Sequence, residues 1–261
     1  LNRKHNFIAA PHQLSLNQHR TKSFQNQDFE GGASMKFSSL FLASLIFVGN
    51  IQADPLDREK LVAKYPGLEQ GSGRPENKQI LCPFHRLLER AGVYDEEIGY
   101  GGELLVNIVT MTSKAKEFGC KILACGPVAT AVSAGQVATE STSVGKVDIA
   151  ALHRSLGISH ECAFTWAKGG GMVSDAQRDT NLARLKALAD ADGRLTLGDL
   201  QNVKNQICDE QDVVHTVPGQ TEVFLIWSFL GGTDRGYIDY DDVDRFFHAE
   251  LPKFVSEPTS L

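Results

Sequence analysis

The run Leu81-Cys82-Pro83-Phe84-His85-Arg86-Leu87-Leu88 places a single cysteine immediately before a proline at the mouth of a short amphipathic helix. Proline is favoured at the first helical position, because the N–H it lacks would have no intrahelical partner there. Cys82 therefore falls at the N-cap, beside unpaired backbone donors and the positive end of the helix dipole. Those surroundings favour a sulfur anion, so the sequence predicts a lowered pKa and a thiolate placed to bind a metal. The ordinary alternative for such a cysteine is a structural disulfide.

Two further groups can handle protons. Ser159-His160-Glu161 sets an imidazole beside a carboxylate, a pairing that serves either as a surface cap and ion pair or as an oriented acid–base unit. Glu222 sits in Gln220-Thr221-Glu222-Val223-Phe224-Leu225-Ile226-Trp227, an otherwise strongly apolar helical stretch. A carboxylate buried there must find a partner or have its pKa raised by desolvation. In the first helical turn it would instead be exposed and favoured by the dipole.

The elements that must position these groups begin after a leader. From Met35 the chain reads Met-Lys-Phe-Ser-Ser, then an apolar run to Val48, then Ile51-Gln52-Ala53. This is the pattern of a secretory signal over residues 35–53, with a cut after Ala53 and an apolar core too short to span a bilayer. Residues 1–34, rich in Asn, Gln, His and Lys, are expected to be a disordered, artefactual upstream extension. Residues 54–261 are expected to form one soluble, secreted domain that meets no membrane once the signal is removed. A formal net charge of −6 without a basic stripe argues against nucleic acid as a partner.

Five cysteines in an oxidising compartment leave one unpaired. Cys120 and Cys125 are close enough to close a small loop, Cys162 and Cys208 would be the other pair, and Cys82 would remain, although sequence alone does not determine connectivity. The apolar spacing is helical almost throughout. One helix begins at Pro83 and is ended by Gly92. Others are marked by Leu104, Leu105, Ile108 and Val109, by Ile149, Leu152 and Leu156, and by Leu182, Leu185, Leu188 and Ala189. After a turn at Asp190-Ala191-Asp192-Gly193 come a Thr196-capped helix carrying Leu200, Val203 and Ile207, an apolar helix over 220–230 closed by Gly231-Gly232, and a last one over 240–251. Period-two alternation is confined to 194–197 and 237–240. The expected fold is mainly α, with few or no strands.

In their order along the chain, these segments resemble the heme-thiolate peroxidase family, the chloroperoxidases and unspecific peroxygenases. Leu81-Cys82-Pro83 matches two of the three positions of that family's Pro-Cys-Pro heme-ligand segment, with Tyr65-Pro66 like its approach. Ile158-Ser159-His160-Glu161 corresponds to its Glu-His-Asp segment, and Thr221-Glu222-Val223-Phe224 resembles the segment bearing its distal acid. Ile238-Asp239-Tyr240 and Phe246-Phe247-His248-Ala249-Glu250-Leu251-Pro252 follow in family order, so the resemblance covers nearly all of residues 54–252. It implies a single-domain helical enzyme of that fold with heme b, Cys82 as the axial ligand to iron, Glu222 as the catalytic acid–base group, and His160 oriented by Glu161 holding Glu222. Hydrogen peroxide would form a ferryl species that halogenates, oxygenates or oxidises a small organic substrate, with halide as a further partner. Val223, Phe224 and Ile226, with Phe164 and Trp166, are candidates for a substrate channel or for plain core. Leu81 stands where the family has proline. Ser159 stands where the family has an acidic residue and Ala163 where it has a serine, which removes or weakens two hard ligands. A magnesium or manganese site is therefore expected to be weak or lost, with Ser159 and His160 as its remaining candidates.

Two other readings compete. A silent secreted heme-binding protein could keep this scaffold without catalysis. A calcium-binding helical module is suggested by residues 190–199 and echoed by 234–239. With Gly193 and Gly236 at the sixth loop positions, however, the first positions are Leu188 and Gly231, and the twelfth are Asp199 and Asp242 in place of glutamate.

Overall fold

The computed structural model describes residues 56–70, 73–98, 103–120, 122–139, 142–154, 162–169 and 171–254. The upstream extension, the signal segment and the Ser159-His160-Glu161 motif lie outside the described residues. The chain is mainly helical, and among the described residues the strands form three short antiparallel pairs. Among the described residues no helix is long and apolar enough to cross a membrane.

Two short helices, α1 (Arg58–Lys64) and α2 (Gly67–Gln70), lead to α3 (Pro83–Arg90). The proline rule holds at α3: Cys82 is the extended N-cap, Pro83 opens the helix, and Gly92 follows its end with φ +77°. Leu87 and Leu88 are fully buried in the main core, while Leu81 packs in a smaller cluster with Ala163 and Trp166.

A short α4 (Asp95–Ile98) precedes β1 (Leu105–Asn107), which pairs with β2 (Lys146–Asp148), Val106 opposite Val147. Leu104 and Leu105 are thus not helical as their spacing suggested. The helix, α5 (Ile108–Glu117), starts where the Asn107 side chain accepts the N–H of Val109 at 2.8 Å. The antiparallel pairing claims the residues before that cap. The spacing reading also missed α6 (Ile122–Ala138), whose Gly, Ala and Ser residues and internal Pro127 write no single apolar stripe. Its Gln136 side chain bonds both the N–H and the C=O of Asp148, each at 2.8 Å, and so fixes α6 on β2. Ile149–Arg154 form a 3₁₀ helix in place of the α-helix expected there, and Leu156 lies outside the described residues.

After β3 (Trp166–Ala167) and β4 (Gly171–Met172) come α7 (Asp175–Leu188), β5 (Arg194–Leu195) and α8 (Leu197–Glu210). Thr196 and Asp199 cap α8 reciprocally. Next are α9 (Val217–Phe229), the single turn α10 (Gly232–Arg235), β6 (Ile238–Asp239) and α11 (Tyr240–Phe247). The two places where alternation was noted pair with each other as β5 and β6. Helix α11 stops four residues short of the expected end, because Ala249 takes a positive φ and turns the chain away.

A buried guanidinium joins these parts. Arg86, 0% exposed, donates to the C=O of Ile80 (3.0 Å), of Leu81 (3.2 Å) and of Phe247 (3.0 Å), and its Nε lies 2.7 Å from Glu76. Arg178 of α7 grips both oxygens of Glu76, at 2.9 and 2.8 Å. Arg90 adds bonds from α3 to the C=O of His248 and Ala249. Replacing Arg86 by Met should take the side-chain donor from the Ile80 carbonyl, leave the Leu81 and Phe247 carbonyls with only Thr165 and Arg178, and remove one cation from Glu76, at a cost of about 3–5 kcal/mol read as a lowered midpoint in urea unfolding. A midpoint within about 0.5 kcal/mol of wild type would contradict this role.

Candidate functional site

Among the described residues Cys82 is the free cysteine, and it keeps a partly exposed position. Cys162 is bonded to Cys208 as expected, with Cα atoms 5.5 Å apart. Cys120 is also disulfide-bonded, and the side chain of its anticipated partner Cys125 lies outside the described residues.

The expected lowering of the Cys82 pKa is not found. Loss of hydration around the sulfur pushes the thiol up to about 11, and the negative charge of Glu222 adds to this. The backbone N–H groups of His85 and Phe84 and the charge of Arg86 act the other way, but together they are outweighed. The helix start therefore does supply donors, as inferred, and desolvation wins over them. At neutral pH the sulfur carries its proton, and a metal binding there must displace it.

Glu222 lies in the second turn of α9, half-buried, rather than in an exposed first turn. Its charge registers on Cys82 and also on Lys204, so the structure brings Cys82 and Glu222 into one electrostatic neighbourhood. His160, Glu161 and Ser159, and with them the weak cation site, fall outside the described residues. The chain that follows them does not. Cys162, Ala163, Phe164, Thr165 and Trp166 are buried, Thr165 Oγ1 donates to the C=O of Leu81 at 3.1 Å, and Asn181 of α7 donates to the C=O of Phe164 at 3.0 Å. The exit of the second motif is thus fastened beside Cys82.

Of the channel candidates, Val223, Ile226 and Phe164 are main core, and Trp166 packs with Leu81 and Ala163. Phe224 is 48% exposed and helps line a solvent-open hollow of about 400 Å³ with His215, Thr216, Val217, Gln220 and Thr221. Thr221 and Phe224 bracket Glu222 in sequence, but neither Glu222 nor Cys82 lines the hollow.

Two groups near the site were not singled out from sequence. His85, three residues after Cys82, bonds Tyr94 through Nδ1 at 2.8 Å, and burial holds its pKa down at about 4. The imidazole is therefore neutral at pH 7, and its partner Tyr94 is itself buried. Lys204, 1% exposed on α8, donates to Cys208 Sγ at 3.5 Å and packs against Gly219 of α9, where a Cβ would fall 2.7 Å from its Nζ. Gly219 is three residues before Glu222, so the ammonium sits one turn along the helix from that carboxylate. Burial lowers the Lys204 pKa and Glu222 opposes the shift. A signal for Lys204 was present, because Leu200, Val203, Lys204 and Ile207 share core-facing spacing.

Alkylation of Cys82 by iodoacetamide in protein free of metal should keep accelerating up to about pH 11. Glu222→Gln removes a nearby negative charge and so should move that profile to lower pH. An unshifted profile would separate the two residues. No protein-family model, curated protein or solved structure matches this chain, and the functional reading rests on its own residues.

Proposed function

We propose that this chain is a secreted heme-thiolate peroxidase or peroxygenase acting on small organic substrates with hydrogen peroxide. The observation that carries the reading is that the cysteine, held at a helix N-terminus, feels the charge of the carboxylate that the family resemblance pairs with it.

The donor chemistry around Cys82 fits a heme iron. A single soft sulfur is available, the N–H groups of Phe84 and His85 stabilise its charge, and the neutral His85–Tyr94 pair places no competing cation beside it. Cys82 would hold the heme, which would supply the chemistry for opening the O–O bond and oxidising the substrate, with a thiolate ligand favouring that cleavage. Glu222 takes a proton from one peroxide oxygen and returns it to the other, so that water leaves. His160, oriented by Glu161, would hold the Glu222 carboxylate in place. Lys204, one turn along the helix, sets a buried ammonium near that carboxylate. A divalent cation is assigned at most a minor part, because Ser159 and Ala163 offer poor hard ligands.

Protein produced with heme should show, when reduced under carbon monoxide, the red-shifted Soret band of thiolate ligation, and Cys82→Ala should abolish it. Failure of the wild type to bind heme ends the reading. In protein that passes this test, Glu222→Gln should lower peroxide-dependent turnover about 100-fold or more, the range typical of a lost general acid–base group. Wild-type protein that binds heme but shows no turnover would instead be the silent scaffold.

A further inference from the structure

Helices α7 and α8 with their loop, and α9 and α11 with the stretch between them, which includes the single turn α10, are arranged like a pair of calcium-binding helix–loop–helix units. Gly193 and Gly236 occupy the sixth loop positions with φ +77° and +75°. Leu195 and Ile238, both fully buried at the eighth positions, pair with each other between the loops. Sequence reading set such a module aside because ligand oxygens are missing. The architecture is nonetheless present, which raises the question of what neutralises loops that carry Asp190, Asp192, Asp199, Asp239 and Asp242.

The second loop answers it. Its fifth position, a ligand position in calcium loops, holds Arg235. The Arg235 guanidinium lies 2.7 Å from Asp239 at the ninth position and donates to the C=O of Leu230 at 2.9 Å. It lies over the rings of Tyr237, 4.8 Å away, and Phe254, 3.9 Å away. The twelfth residue, Asp242, is 2% exposed and turned to another use: its carboxylate accepts the N–H of Lys253 at 2.6 Å and of Phe254 at 3.2 Å, which draws the tail over the loop. In the first loop Asp190 accepts the N–H groups of Asp192 and Arg194, both at 2.9 Å, Asp192 pairs with Arg194, and Asp199 is spent on the Thr196 cap.

We propose that this half of the protein is a calcium-independent helix–loop–helix pair in which the Arg235 guanidinium, roofed by Phe254, replaces the metal ion as a cation built into the chain. The device is independent of what Cys82 binds. It holds α9, and Glu222 on it, in a fixed setting whatever the calcium concentration, because α10 and α11 follow α9 directly.

The test is thermal unfolding of the full chain, with and without heme, in EDTA and in about 10 mM calcium chloride, well above the range in which weak loops of this kind saturate. Wild type should unfold at the same temperature in both, and terbium should gain no sensitised emission. Arg235→Gln should lower the midpoint by roughly 4–8 °C, through loss of an ion pair and two ring contacts, and calcium should not restore it. Arg235→Lys keeps the charge and should fall between the two. A calcium-dependent rise in the wild-type midpoint, or an Arg235→Gln midpoint equal to wild type, would overturn the proposal. If Arg235→Gln does not fold, Phe254→Leu, which removes only the roof, should still lower the midpoint by a few degrees, and an unchanged midpoint would count equally against it.

Discussion

Burying a guanidinium is costly unless its charge is paired and its donors find acceptors, and the partners that Arg86 finds tie distant parts of the chain together. Its partners come from the loop before α3, from Glu76 and from the end of α11. The Cys82 loop cannot shift without stranding a charge in the core. Arg178 shares Glu76 and carries the same restraint to α7. The position of the sulfur is therefore a consequence of charge satisfaction some way from it, and the apolar packing of Leu87 and Leu88 fills in around that frame.

The same region sets two electrostatic demands against each other. The helix start offers N–H groups to a thiolate, while burial and Glu222 favour the thiol, and the second pair prevails. A resting neutral sulfur is protected from casual alkylation and oxidation, since the thiolate is the reactive form. Ligation reverses the balance, because a metal ion substitutes for the proton and the waiting N–H donors then stabilise the charge. Lys204 faces a related contest, since burial lowers its pKa and the charge of Glu222 opposes the shift.

Much of the helical plan was legible in the sequence because its signals are local. The Cys82-Pro83 start, the Thr196 cap and the apolar spacing of Leu182 and Leu185 all act within a turn or two. Leu105 misled because its strand partner, Asp148, is far along the chain. Helix α6 was invisible because small residues bury without writing a periodic stripe. The free state of Cys82 and the Cys162–Cys208 bond followed from parity and spacing. The Cys82 pKa did not, since a capping position is a local property and desolvation is set by the whole fold. The weak calcium-loop signature at Gly193 and Gly236 was rejected on ligand chemistry while its geometry held, because the glycines and the β5–β6 residues shape the backbone whether or not an ion is present.

The Cys162–Cys208 bond closes a loop across 46 positions, a constraint worth about 4 kcal/mol in the chain-entropy picture. It also anchors the stretch immediately after His160 and Glu161 to α8. Synthesis in a reducing cytoplasm would leave that anchor unmade and add free thiols beside that of Cys82. The route of production thus decides how firmly the stretch that begins at Cys162 is held to α8 and how many reactive sulfurs the protein presents.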